Sequence, residues 1–294
     1  MAKIAKQKNW LQGEGEEERE AILSLKQGQI YQEQKKYTQA LQVYLAVKEQ
    51  LTQPLDSLKN SLGKAPENLG DQLRWQEKPD YQTAVIAYQH SSELDPQNHE
   101  TWFGLGFALD ELEKYEEAIN CYDKALEIKP DYHEAWNNRG VALGNLEKYE
   151  DEIASYDKAL EIKPDYHEAW NNRGTALYEL GKYEEAITSY DKALEIKPDF
   201  HETWDGKGYA YFKQGKYAEA LDAVNKAIEI NPEYANAIYN KGIYYLLQNN
   251  VDDGLKLLKE SFEIDSSYRE MAKTDNDFDS IRDDPRFQAL IQGE

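Results

Sequence analysis

Four tryptophans, Trp102, Trp136, Trp170 and Trp204, stand 34 residues apart. A fixed period of that length constrains the fold more than any other property of the chain, because repeated supersecondary units stack in line. Counting each unit from its His (99, 133, 167, 201) brings further columns into phase. Gly106, Gly140, Gly174, Gly208 and Gly242 share the eighth position, and Tyr115, Tyr149, Tyr183 and Tyr217 the seventeenth. Ala118, Ala186 and Ala220 share the twentieth, and Ala125, Ala159, Ala193 and Ala227 the twenty-seventh, while Pro130, Pro164, Pro198 and Pro232 close each unit.

Within a unit the apolar spacing predicts two helices. Ala169, Trp170, Gly174, Leu177 and Leu180 fall at helical intervals, as do Ile187, Tyr190, Ala193, Leu194 and Ile196. Gly181-Lys182 supplies the turn between them, and Pro198 stops the second helix because proline cannot continue one. Gly and Ala columns let two helix backbones approach to ~8–10 Å. A 34-residue unit cannot bury its own apolar face, so stability must come from stacked neighbours.

These motifs resemble the tetratricopeptide repeat (TPR), whose Trp, Leu-Gly, Tyr, Ala, Phe and Pro recur over 34 residues. Trp102-Phe-Gly-Leu105-Gly106 matches closely, whereas Arg139 and Arg173 replace Leu, and Tyr122, Tyr156 and Tyr190 replace Phe. The resemblance implies an all-α fold, an α-α superhelix of about seven helix-turn-helix repeats with a concave groove. Five units are clear, at 99–132, 133–166, 167–200, 201–234 and 235–268. In the fifth, Val251, Gly254 and Ser266 replace Tyr, Ala and Pro. Two divergent units are read within 21–98, with an insertion near 55–66 marked by Pro54 and Gly63–Pro66. Residues 1–20 form an N-terminal extension. Residues 269–294 read as a C-terminal cap, with Phe278, Ile281, Phe287, Leu290 and Ile291 covering the last unit and Asp284-Pro285 starting a helix.

Composition narrows the function. A formal net charge of -22 argues against nucleic acid, since phosphate binding needs an excess of Lys and Arg. No run of ~18 apolar residues predicts membrane insertion, and the N-terminus has no apolar signal stretch. One cysteine fits a reducing compartment, so a cytoplasmic location is expected. No metal or cofactor is expected: the four period-spaced histidines lie too far apart to share an ion, and Asp275-Asn-Asp277 lacks the Gly and closing Glu of a calcium loop. Cys121 has no paired His in a recognisable arrangement, and no phosphate loop or nucleophile elbow occurs, so the chain is not expected to be an enzyme.

Binding is therefore the expected function, and the resemblance implies that the first helix of each unit lines the groove. Carried over position by position, the groove comprises Glu134, Asn137, Asn138, Glu168, Asn171, Asn172, Tyr178, Asp205, Tyr209, Phe212, Tyr239 and Asn240. Asparagine offers both a donor and an acceptor to a peptide backbone. The Lys and Arg that clamp acidic C-termini in chaperone-adaptor members of the family are missing here. Residues 99–268 hold 35 acidic and 18 basic side chains, so the expected partner is an extended, basic or mixed apolar polypeptide segment. The alternative is a scaffold that self-associates with no ligand in the groove, or with the basic segment around Lys3, Lys6, Lys8 and Trp10 placed there in cis.

Overall fold

The computed structural model describes residues 24–293 except 26, 30, 33–34, 51–55, 75, 77 and 280, so the expectations for residues 1–20 lie outside it. All regular structure among the described residues is helical, and the chain divides into two compact units, 1–147 and 148–294.

The first unit contains α1 (Tyr37–Gln50), α2 (Asp56–Arg74), α3 (Tyr81–Leu94), α4 (His99–Asp110), α5 (Tyr115–Ile128) and α6 (His133–Gly144). Each helix packs on the next, and α2 also touches α4 and α4 touches α6. Where the sequence suggested an interrupted insertion, α2 runs continuously from 56 to 74 with Pro66 inside it. The apolar face of its later turns outweighs the broken hydrogen bond, because Leu69 and Leu73 are both buried.

The second unit contains α7 (Tyr149–Ile162), α8 (His167–Glu179), α9 (Tyr183–Ile196), α10 (His201–Lys213), α11 (Tyr217–Ile230), α12 (Ala235–Leu247) and α13 (Val251–Ile264). After these come α14 (Ser267–Ala272), a 3₁₀ turn at Asn276–Phe278 and α15 (Pro285–Gln292). Consecutive helices pack in pairs, and α8–α10 and α10–α12 touch as well. In both units, then, successive first helices of the repeats lie side by side on one face.

The columns have a steric origin. Tyr88 is held between Gly70 and Gly104, and Tyr190 between Gly174 and Gly206; a Cβ on any of these glycines would lie 3.0 Å or less from the ring. Each repeat's tryptophan donates its indole N–H to the proline carbonyl six residues back, at 2.9–3.0 Å in Trp102, Trp136, Trp170 and Trp204. The arginines that replace leucine reach the preceding repeat: Arg139 Nε donates to Asp123 and Arg173 Nε to Asp157, each at 2.7 Å. Lys207 pairs with Asp191 in the same way.

The C-terminal segment packs against the last helix pairs. Phe278 and Phe287 are fully buried and stacked at 4.9 Å, and Ile291 joins them. Asp284 accepts a hydrogen bond from the Arg286 amide at 2.8 Å with Pro285 in the first helical position.

Candidate functional site

The first helices of the repeats carry the predicted residues, and the surroundings of those residues differ. On α6, Glu134 is half-exposed with His133 Nδ1 3.1 Å from its carboxylate. Asn137 is buried and donates its Nδ2 to Asn138 Oδ1 at 3.2 Å, while Asn138 lies partly exposed against the buried Tyr122 hydroxyl. A carboxamide has two donor and two acceptor positions. These contacts orient Asn138.

The same arrangement recurs on α8. Glu168 lies 3.0 Å from His167 Nδ1, and Asn171 Nδ2 points to Asn172 Oδ1 at 3.4 Å. Asn171 Oδ1 also accepts from the Thr203 hydroxyl at 2.8 Å, which ties α8 to α10. Tyr178 is partly exposed, its ring 5.4 Å from Tyr183 and 5.2 Å from Tyr209.

Further along, the predicted residues are taken up by the protein itself. Asp205 is only 2% exposed and accepts from Asn236 Nδ2 and Asn240 Nδ2, and burial pushes its carboxyl up to about 6. The family resemblance implies a groove position for Asp205, but its carboxylate is turned into the α10–α12 contact, where Asn236 and Asn240 offer donors. Phe212 is buried and stacked on Tyr244 at 4.8 Å, and Asn240 is buried beside Asp205. Tyr239 is 2% exposed and donates to Asp275 Oδ2 at 2.9 Å. Tyr209 donates to Asp277 Oδ2 at 3.3 Å, and Lys213 Nζ lies 3.3 Å from Asp277 Oδ1. The turn at 275–278 thus lies across this end of the face. Sequence reasoning missed Lys213 and its acidic partners, although Lys213 is the single cation in a column otherwise holding Glu111, Asn145, Glu179 and Leu247.

The other candidate chemistries have structural roles. Cys121 is buried, and burial pushes its thiol up to about 12. The rings of His99, His167 and His201 meet Tyr132, Phe200 and Tyr234 edge-on. Among the described residues no group of three or more His, Cys, Asp or Glu is placed to hold a metal, and no helix is long and apolar enough to cross a membrane. A cleft of about 510 Å³ beside Trp204 and Tyr211 is crossed by Lys207, whose ammonium lies 5.2 Å and 5.6 Å from the two ring centres.

Known proteins agree with this architecture. Sequence models described as tetratricopeptide repeat match residues 23–50, 87–120, 167–200 and 202–234, and one described as TPR repeat matches 109–147 and 145–181. No curated protein sequence matches significantly. Among solved structures, the MamA protein is 26% identical with a TM-score of 0.53 over 59% of this chain and 93% of its own. YrrB, titled a TPR protein with an unusual peptide-binding site, is 23% identical with a TM-score of 0.51, covering 63% of this chain and 95% of its own. A tetratricopeptide repeat protein from Parabacteroides merdae is 21% identical with a TM-score of 0.58, covering 88% of this chain and 98% of its own. With the matched stretches spanning over half of the 294 residues and the helices paired as the period requires, the chain belongs to the tetratricopeptide repeat family, a family of protein-interaction modules.

Proposed function

We propose that the chain binds an extended polypeptide segment along the first helices of its repeats, as an assembly adaptor rather than an enzyme. The observation that carries this reading is the repeated Glu-Asn-Asn arrangement of α6 and α8. In each, a half-exposed carboxylate sits beside His, and an inner Asn, buried at 137 and partly buried at 171, donates to a partly exposed outer Asn. The outer Asn138 and Asn172 would hold the ligand backbone whatever its side chains, and Glu134 and Glu168 would favour basic ones. YrrB, which shares the fold, is described as having a peptide-binding site, and that supports the reading.

The test is calorimetry with a peptide mapped from a co-purifying partner, at two salt concentrations. Asn138→Ala with Asn172→Ala removes neutral hydrogen bonds of ~1 kcal/mol each and should weaken binding with little salt dependence. Glu134→Lys with Glu168→Lys should weaken basic ligands, and less so at high salt. Glu184→Lys, on the exposed start of α9, is the control. Equal losses for control and face variants would move the site off this face.

A second reading has its own observation. Ile162, Ile196, Ile230 and Ile264 occupy one position of successive repeats and are 37–42% exposed. A row of this kind suits side-by-side self-association. Light scattering that shows a mass rising with concentration, and falling back in Ile196→Lys with Ile230→Lys, would favour the scaffold over the peptide adaptor.

A further inference from the structure

The turn at 275–278 is joined to the helical face by polar contacts beside the apolar ones that plug the end of the core, with Phe278 belonging to both. The plug is apolar: Phe278, Phe287 and Ile291 bury themselves against the last helix pairs. The acidic residues before it reach sideways along the first-helix face. Asp275 accepts from Tyr239 in α12, and Asp277 accepts from Tyr209 and pairs with Lys213, both in α10. Phe278 completes the set, edge-on to Tyr239 with ring centres 5.7 Å apart. Lys213 and Asp277 keep 28% and 19% of their side-chain surface exposed, so the pair is within reach of water and of competitors.

From this geometry we infer that Tyr209, Lys213 and Tyr239 form a receptor for a segment of acidic–x–acidic–aromatic chemistry. In the isolated chain residues 275–278 occupy it in cis. A partner segment of the same chemistry takes it when the C-terminal segment leaves. The inference rests on the proposed use of the first-helix face for extended segments, but it concerns other residues and the opposite ligand charge. Charge complementarity supports it: Lys213 supplies the cation that this column lacks elsewhere in the array. The two phenols donate to carboxylates here, and with Lys213 beside them they suit an acidic ligand.

Tethering explains why the intact chain would look inert. A short flexible connection gives an intramolecular ligand an effective concentration on the order of mM. A free segment at micromolar concentration therefore loses to the tethered one until the latter is weakened.

The probe is a synthetic peptide of residues 272–293. Calorimetry should detect no binding to the full chain at micromolar peptide. It should detect binding to the chain ending at 271, and to full-length Asp275→Ala/Asp277→Ala/Phe278→Ala, which retains Phe287 and Ile291 in the plug. Lys213→Glu in either emptied form should lower the affinity about tenfold or more, since a hydrogen-bonded charge pair is lost. The loss should shrink with added salt. The inference is overturned if emptied chains that still melt cooperatively fail to bind the peptide, or if Lys213→Glu leaves its affinity unchanged. A third reading uses the intact protein. Lys213→Glu should speed amide hydrogen exchange over 274–279 while leaving α10 protected; unchanged exchange there would overturn the inference even if both emptied forms unfold. None of these variants touches Asn138, Asn172, Glu134 or Glu168, so failure here is distinguishable from failure of the proposed function.

Discussion

The Tyr156 hydroxyl donates to Glu152 Oε1 at 3.1 Å, inside the contact between two helices. Glu152 is 7% exposed in the position where Ala118, Ala186 and Ala220 are fully buried in sister repeats. Burial pushes its carboxyl up to about 7 against an ordinary 4.5, and the Tyr156 hydrogen bond only partly offsets that. The folded chain therefore holds a proton between about 4.5 and 7 that the unfolded chain has released, so stability falls as pH rises through that window. Glu152→Gln keeps an acceptor for Tyr156 and should stabilise the protein at pH 8 by on the order of 2–4 kcal/mol. At pH 4.5 the gain should vanish. Denaturant melts at the two pH values check this, and equal gains at both would show that the carboxylate is not the source.

Asp205 is expected to behave as a packing residue. Asp205→Ala leaves the side-chain amides of Asn236 and Asn240 facing a buried site without their acceptor, which costs about 2–4 kcal/mol. A variant that unfolds at the parent denaturant midpoint but binds peptide more weakly would return Asp205 to the ligand site.

The turn inside each repeat places one residue in the left-handed region. Gly181 and Gly215 occupy it at φ 71° and 74°, whereas Glu113 and Glu147 adopt it at φ 60° and 58°. Glutamate pays a steric penalty there that glycine avoids. Glu113→Gly should raise stability by a few tenths to about 1 kcal/mol, and Gly181→Ala should lower it by a similar amount. Thermal melts of the pair should move in opposite directions.

Gly174 tests the opposite constraint. Its backbone is ordinary helix, but an added Cβ would lie 2.6 Å from the Tyr190 ring. Gly174→Ala should therefore destabilise by about 1–3 kcal/mol through overpacking, although alanine is the better helix former. Adding Tyr190→Phe should not relieve it, because the ring edge rather than the hydroxyl is struck. Recovery in that double variant would contradict the packing account.

Arg173 and Asp157 couple successive repeats through a 2.7 Å contact, with 22% and 48% of their side chains exposed. Partial exposure keeps such a pair weak, so a double-mutant cycle with Arg173→Leu and Asp157→Ala should give a coupling of about 0.5–1 kcal/mol. Arg173 also donates to Ser189 at 2.7 Å, so the single Arg173→Leu change should cost more than the coupling alone.

Signals carried by the period were legible in the sequence. The glycine, alanine and proline columns report contacts that recur from repeat to repeat, so the helix pairs could be read from spacing, and Asp284-Pro285 marked a helix start outside the period. Pro66 misled for the converse reason: a local breaker was overruled by the burial of Leu69 and Leu73 along the helix that contains it. Which polar residues of the first helices are enclosed and which stay exposed was decided only by the tertiary structure. Asp205 and Glu168 belong to the same family of face positions, yet one is enclosed by Asn236 and Asn240 and the other stays half-exposed beside His167. The contact between Lys213 and Asp277 spans 64 residues and joins a repeat to a segment outside the period. Repetition encodes the contacts of neighbours, and it carries no information about a non-repeating segment that folds back across the face.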